Sequence, residues 1–147
     1  GSYTHLEIRW SGRGTAVLTS VDLLMRFNAD TGANYDAELI YNNADTTVIA
    51  AAARAGTSMP IGSMAAASAT AGRAGGGTIA IYDYRGTSLD KVATASNHQT
   101  WSTTAGTTQN RVWGGTWLNA AAITSITLLL ASGDYDTGSK FSLYGVK

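Results

Sequence analysis

The sequence predicts an all-β domain, an antiparallel β-sandwich of jelly-roll type. Three observations support this fold class. Apolar and polar residues alternate with a period of two in many short segments, which is typical of half-buried strands. Turn-forming residues separate these segments at roughly 8–15-residue spacing, as in antiparallel sandwiches. The crossover helices that a parallel sheet would require are not predicted.

The clearest strand is Tyr3 to Trp10, which places Leu6, Ile8 and Trp10 on one face. This pattern predicts that all three side chains enter the core. The remaining well-defined strands are predicted at Val21 to Asn28, Tyr35 to Tyr41, Thr78 to Tyr84, Leu89 to Ser96, Arg111 to Leu118, Ile123 to Leu130 and Phe141 to Val146.

The middle of the chain is less clear. Ile49 to Ala55 is interpreted as a loop or a strand of small residues, with a helical turn as the second choice. Met59 to Ala71 is interpreted as a strand, and Pro60 near its start favours an edge strand or a first position in a strand. Gly72 to Gly77 is interpreted as a turn and His98 to Asn110 as a polar loop.

Length and composition favour one domain. The chain has 147 residues, the size of a single hydrophobic core. We expect residues 1–2 to be a cloning remnant and residues 3–147 to be one sandwich domain excised from a longer protein. No apolar run approaches the length of a membrane span, so membrane insertion is not expected.

Charge and cysteine content exclude several kinds of site. Ten basic and ten acidic residues give no net charge, and the arginines are scattered. Nucleic-acid binding is therefore not expected, because it usually needs a basic excess. The absence of cysteine excludes disulfides, zinc–thiolate sites and cysteine nucleophiles.

The sequence contains no recognisable catalytic arrangement. The acidic residues form no paired constellation, and no nucleophile elbow accompanies the serines. His5 and His98 are interpreted as solvated residues. The glycine run Gly72 to Gly77 lacks the lysine and the helix of a phosphate-binding loop. We therefore expect a protein that is not an enzyme and has no cofactor.

Trp101 is the best candidate for a ligand-binding aromatic residue, because it lies in a polar segment with no core pattern. A sugar ring can stack its CH groups on an indole face. Asn97, His98 and Gln99 could supply hydrogen bonds beside it. A loop anchor folded onto the sandwich explains Trp101 equally well.

Tyr82 and Tyr84 form a second candidate surface, since they share a strand face opposite Ile79 and Ile81. By contrast, the sequence places the aromatic residues of the segment Arg111 to Leu118 in the core, with glycines that allow close packing.

Asp30, Asn34 and Asp36 could bind calcium, because hard cations prefer several oxygen ligands from one loop. Their spacing is not that of an EF-hand, and Asx turns use the same residue types. Both interpretations stay open.

Both ends of the chain resemble a domain that recurs in tail and virion proteins of tailed phages. The resemblance lies in Tyr3 to Trp10 (YTHLEIRW), Val21 to Asp36 (VDLLMRFNADTGANYD) and Ile123 to Lys147, with its final FSLYG-type strand. It implies a distal β-sandwich displayed on the virion, in contact with host-surface glycans and often in trimers. It implies no defined set of binding residues.

The resulting expectation is a non-catalytic carbohydrate-binding module of a phage tail or virion protein, outside the cell. The alternative is a structural or trimerising virion domain without its own ligand. For this alternative, the Ala- and Gly-rich segment Met59 to Gly77 would pack closely against neighbouring chains.

Overall fold

A computed structural model describes residues 3–42, 47–103 and 107–147. Within these ranges the chain forms strands and no helix. The strands are β1 (His5–Gly12), β2 (Ser20–Phe27), β3 (Tyr35–Asn42), β4 (Val48–Gly56), β5 (Met59–Ala65), β6 (Gly75–Ile81), β7 (Lys91–Thr100), β8 (Thr108–Trp117), β9 (Ile126–Leu130) and β10 (Lys140–Val146).

The strands form two antiparallel sheets, as a sandwich requires. The larger sheet has seven strands in the order β10-β1-β6-β7-β8-β3-β4. The smaller has three, in the order β5-β2-β9. The predicted all-β class with stacked antiparallel sheets is confirmed. No helix of the described residues is long and apolar enough to cross a membrane.

The core lies between the two sheets and follows from strand alternation. In β2, Val21, Leu23, Met25 and Phe27 are buried, and the residues between them are more accessible. They belong to one hydrophobic cluster with the three tryptophans predicted to be internal, Trp10, Trp113 and Trp117. The interior assignment of those tryptophans is therefore confirmed.

The larger sheet has one face that the smaller sheet does not cover. In β7 every second residue from Lys91 to Gln99 is buried, and the residues between them, such as Thr94 and Ser96, are exposed. The same alternation runs through β6 and β8, which flank β7. We call this uncovered surface the outer face.

Several strand boundaries differ from the prediction. The segment His98 to Asn110 is not one polar loop, because β7 continues to Thr100 and β8 begins at Thr108. Likewise Gly75–Gly77, predicted as part of a turn, begin β6. Polar and glycine-rich composition predicts loops, but pairing with neighbouring strands prevails here.

The small-residue segments in the middle of the chain are strands. β4 confirms the small-residue strand interpretation and excludes the helical turn. β5 is shorter than predicted and lies at a sheet edge, as Pro60 indicates. Met59, Ile61 and Met64 are buried in the core of their own domain. This part of the segment is therefore not available to pack against neighbouring chains.

Candidate functional site

The outer face contains a shallow groove along its three central strands. Its floor is formed by Thr78 and Ala80 of β6, Thr94 and Ser96 of β7, and Val112 and Gly114 of β8. The largest depression has a volume of about 650 Å³. Two smaller ones, of about 200 and 360 Å³, continue it on either side of Val112. We call the whole surface the outer groove.

The floor of the outer groove lies below its rims because the residues in its central row have small side chains. Strand register places Glu7, Ala80, Thr94, Gly114 and Glu38 side by side across five neighbouring strands. The two glutamates thus stand about 19 Å apart at their Cα atoms, four strand spacings, with nothing larger than threonine between them. A Cβ added at Gly114 would meet no atom within 4 Å. The backbone there is open to a ligand.

A charge pair stands on each side of the floor. Arg9 Nε donates to Glu7 Oε1 at 2.7 Å on one side. Arg54 donates to Glu38 on the other. Both pairs are solvent-exposed, so they contribute little to stability. They do offer charged donors and acceptors at the rims without a net charge.

One end of the outer groove carries an aromatic ring. Tyr82 follows β6, is 43% exposed, and its hydroxyl lies 3.1 Å from Thr94 Oγ1. The His5 ring meets the Tyr82 ring edge-on, with centroids 5.7 Å apart. The hydroxyl bond to the floor and the histidine contact both fix the orientation of this ring.

The other end is polar. His98 Nδ1 lies 2.8 Å from Asn110 Oδ1. The Asn110 backbone N–H donates to Asn42 Oδ1 at 2.7 Å. From Val92 beside Tyr82 to His98 is six residues, so the outer groove is about 20 Å long.

Of the predicted binding residues, His98 lines the outer groove and Tyr82 borders it through its hydroxyl contact with Thr94, but the side chains of Asn97 and Gln99 point into the protein. Asn97 is 5% exposed, and its Nδ2 donates to the Ser63 carbonyl. Gln99 is fully buried and bonded to Ser20 and Gln109. Strand alternation turns both side chains inward, so neither is accessible to a surface ligand. The predicted strand ended at Ser96, so the alternation was not extended to Asn97 and Gln99.

Tyr84 does not share a face with Tyr82. β6 ends at Ile81, and Asp83 has a φ of 44°, which breaks the alternation between the two tyrosines. Tyr84 packs against the hydrophobic core. The predicted tyrosine shelf is therefore reduced to Tyr82.

Trp101 is far from the outer groove's aromatic end. It lies nine residues beyond Val92, a distance of about 30 Å along an extended strand. Trp101 is half-buried, and its backbone pairs with Thr70 and Thr107. Tyr82 and Trp101 therefore cannot contact one small sugar together.

The acidic residues of the predicted calcium loop have protein partners. Asp30 accepts hydrogen bonds from the Gly32 backbone N–H at 2.8 Å, Asn34 Nδ2 at 2.9 Å and Trp117 Nε1 at 2.7 Å. These donors lower the pKa of Asp30, with the Trp117 bond contributing most. Asp36 accepts from the Ala55 backbone N–H instead. Among the described residues, no three His, Asp or Glu side chains are grouped to hold a metal.

No protein-family model, curated protein or solved structure matches this chain.

Sequence reasoning missed Thr94, Ser96 and Gly114 as site residues. The signal was present in β7, whose exposed positions Val92, Thr94, Ser96 and His98 recur at every second residue. Knowing that these positions face a groove requires the strand order, which places Gly114 beside Thr94.

Proposed function

We propose that this domain is a non-catalytic carbohydrate-binding module and that a glycan chain lies in the outer groove. The main support for the proposal is a floor of threonine, serine, alanine and glycine residues with the apolar Val112, between the Tyr82 ring and the His98–Asn110 pair. Ligand sites commonly combine apolar contact area with a few placed polar groups.

The proposed fit between a sugar and the outer groove rests on complementary chemical groups. A sugar ring has apolar CH faces and a polar rim of hydroxyl groups. Tyr82 would stack on a CH face, since an aromatic ring is negative on its face and CH hydrogens are partly positive. Thr94 and Ser96 would form hydrogen bonds with sugar hydroxyl groups that lie above the floor. The Glu38–Arg54 pair would bond hydroxyls at the rim, where charged groups make stronger hydrogen bonds.

Origin from a phage tail or virion, and an extracellular location, rest on the sequence resemblance. The jelly-roll type is part of the same proposal. Its support is nested pairing, since β1 pairs with β10, β2 with β9 and β3 with β8. The seven-and-three division of strands departs from an eight-stranded jelly roll, so a variant of that fold is proposed.

A glycan array tests the proposal with three proteins: wild type, Tyr82→Ala and Trp101→Ala. We expect wild type and Trp101→Ala to bind the same glycan and Tyr82→Ala to lose it at an unchanged melting temperature. Loss of binding in Trp101→Ala alone would move the site away from the outer groove. A wild type that binds nothing across bacterial surface polysaccharides would contradict the proposal.

A second candidate function is assembly with further copies of the chain. β4 is an edge strand of nine residues, with Arg54 as its only charge and no proline. Natural proteins usually protect edges with charges, prolines or short strands, and an open edge favours pairing with another strand. Light scattering tests this function: a stable trimer or dimer supports it, and a monomer at high concentration contradicts it.

A further inference from the structure

We propose that His5 is a positioning residue for the Tyr82 ring and acts only as the neutral imidazole. The inference rests on the proposed function, because Tyr82 is the aromatic platform of the outer groove. His5 contacts Tyr82 in two ways. Their rings pack edge to face, and His5 Nδ1 lies 3.0 Å from the backbone N of Asp83, the next residue.

The direction of this hydrogen bond fixes the protonation state. A backbone N–H can only donate, so Nδ1 of His5 must accept and cannot carry a proton. The ring proton therefore resides on Nε2. A protonated imidazole has a donor at both nitrogens, and its Nδ1–H would then point at the Asp83 N–H.

The chain needs support at this corner. Asp83 has a φ of 44°, in the left-handed region that L-residues other than glycine rarely adopt. Backbone hydrogen bonds hold the residues on either side of Asp83. The Tyr82 N–H donates to the Val92 carbonyl, and the Tyr84 N–H donates to the Thr4 carbonyl. His5 satisfies the donor between them. Losing that bond removes the protein acceptor of the Asp83 N–H at the turn that orients Tyr82.

The charged groups around His5 have other neighbours. On β1, Glu7 accepts from Arg9, and Arg9 also lies over the Tyr144 ring of β10. On the β6 side, the Asp83 carboxylate lies against Gly86, where an added Cβ would come within 2.0 Å of its Oδ2. Lys147 follows Val146, the β10 partner of His5.

The first experiment uses the free protein, so it does not depend on finding a glycan. The Asp83 amide signal is followed by two-dimensional NMR between pH 8 and pH 5 in wild type, His5→Asn and His98→Gln. Asparagine places an acceptor oxygen near the position of Nδ1 and does not titrate. We expect the Asp83 signal to titrate in wild type and in His98→Gln and to stay fixed in His5→Asn. A fixed signal in wild type, or titration that persists in His5→Asn, would overturn the inference.

The second experiment measures binding to the immobilised glycan that wild type binds best. We expect affinity to fall roughly five- to tenfold from pH 8 to pH 5, the contribution of about one hydrogen bond. His5→Asn, which keeps the acceptor and loses the ring contact, should lose the pH dependence and bind more tightly than His5→Phe, which keeps a ring and loses the acceptor. An identical pH profile in His5→Asn would contradict the role of His5. A wild type without any glycan partner would contradict the proposed function instead and leave the NMR result to judge His5.

Discussion

The hydroxyl oxygens of Tyr82 and Thr94 lie 3.1 Å apart, so the residue that follows β6 contacts a residue of the neighbouring strand β7. Thr94 lies in the central row of the outer groove, so this contact anchors an exposed aromatic ring to the floor. The proposed glycan binding in the outer groove would make two demands on the rest of the molecule. The floor must stay open, and the scaffold beneath it must be rigid.

Filling the floor should abolish binding without disturbing the fold. We expect Gly114→Leu to fold with the wild-type melting temperature, because a Cβ at this position meets no atom within 4 Å. Its side chain would occupy the space above the floor and exclude a sugar ring. The measurement is glycan binding beside thermal unfolding monitored by circular dichroism.

Gly77→Ala is the matched control for Gly114→Leu. Its added Cβ would lie 2.2 Å from the Ser96 carbonyl oxygen, which belongs to the rigid backbone of the paired strand. We expect this variant to be destabilised by about 2 kcal/mol or more, as for overpacked cores. If Gly114→Leu bound glycan as wild type does, the outer groove could not be the site.

Acid should selectively remove the stabilising contribution of Asp30. The Trp117, Asn34 and Gly32 donors hold its pKa below the ordinary value of 3.8. A carboxyl with a lowered pKa stabilises the fold above its unfolded-state pKa, and the contribution is lost as pH falls through the folded pKa. We expect Asp30→Ala to lose about 1 kcal/mol at pH 7, a modest figure because the loop is open to solvent.

The same difference should shrink as the pH falls below about 4, where the unfolded-state carboxyl takes up its proton. Urea unfolding of both proteins at several pH values measures it. A constant difference across this range would contradict a structural role for the charged form of Asp30. Dependence of stability on added calcium would favour the cation site that the sequence left open.

Removing the hydroxyl of Tyr135 should not destabilise the protein. Burial raises the pKa of Tyr135 to about 12, and its buried hydroxyl has no hydrogen-bond partner among the residues that the structure describes. Its ring packs edge-on against Phe141, with centroids 4.9 Å apart. Tyr135→Phe keeps that packing and removes the unsatisfied group, so we expect equal or higher stability.

Alkaline pH provides the check on Tyr135. A raised pKa means that the folded state keeps a proton that the unfolded state loses, so stability falls as pH rises from 10 to about 12. This part of the alkaline loss should be absent in Tyr135→Phe. An equally steep loss of stability with pH in both proteins, measured by urea unfolding, would show that the pKa of Tyr135 is not raised.

A charge on the β4 edge should disrupt any assembly through that strand. We expect Ala52→Lys to shift an oligomer toward monomer in light scattering, because an exposed lysine blocks edge pairing. Ser142→Lys, on the opposite edge strand β10, is the control and should leave the oligomer intact. The reverse result would assign the contact to β10.

Local patterns predicted much of the fold. Alternation in Tyr3 to Trp10 and Val21 to Asn28 identified buried positions correctly, because one face of each strand is buried and the other is more accessible. The sheet order could not be obtained in this way. Neither Thr94 nor Gly114 carries a signal that makes them neighbours, and only pairing between β7 and β8 does so.

The candidate site was harder to predict, for a related reason. Composition marked Asn97 and Gln99 as polar loop residues, but the strand period turns them inward, where Asn97 Nδ2 donates to the Ser63 carbonyl and Gln99 Nε2 donates to Gln109 Oε1. Tyr84 was misplaced because the left-handed Asp83 interrupts the strand. One residue with irregular backbone interrupts the alternation of a strand, so the strand period no longer predicts which way the next side chains point.

Glycan binding in the outer groove can be tested by amide shift mapping with a soluble oligosaccharide derived from the best array glycan. We predict that the signals of Thr94, Ser96 and Gly114 move on titration and that those of Trp101 and Thr70 do not. Shifts confined to Trp101 and its neighbours, with the outer groove unaffected, would contradict the account.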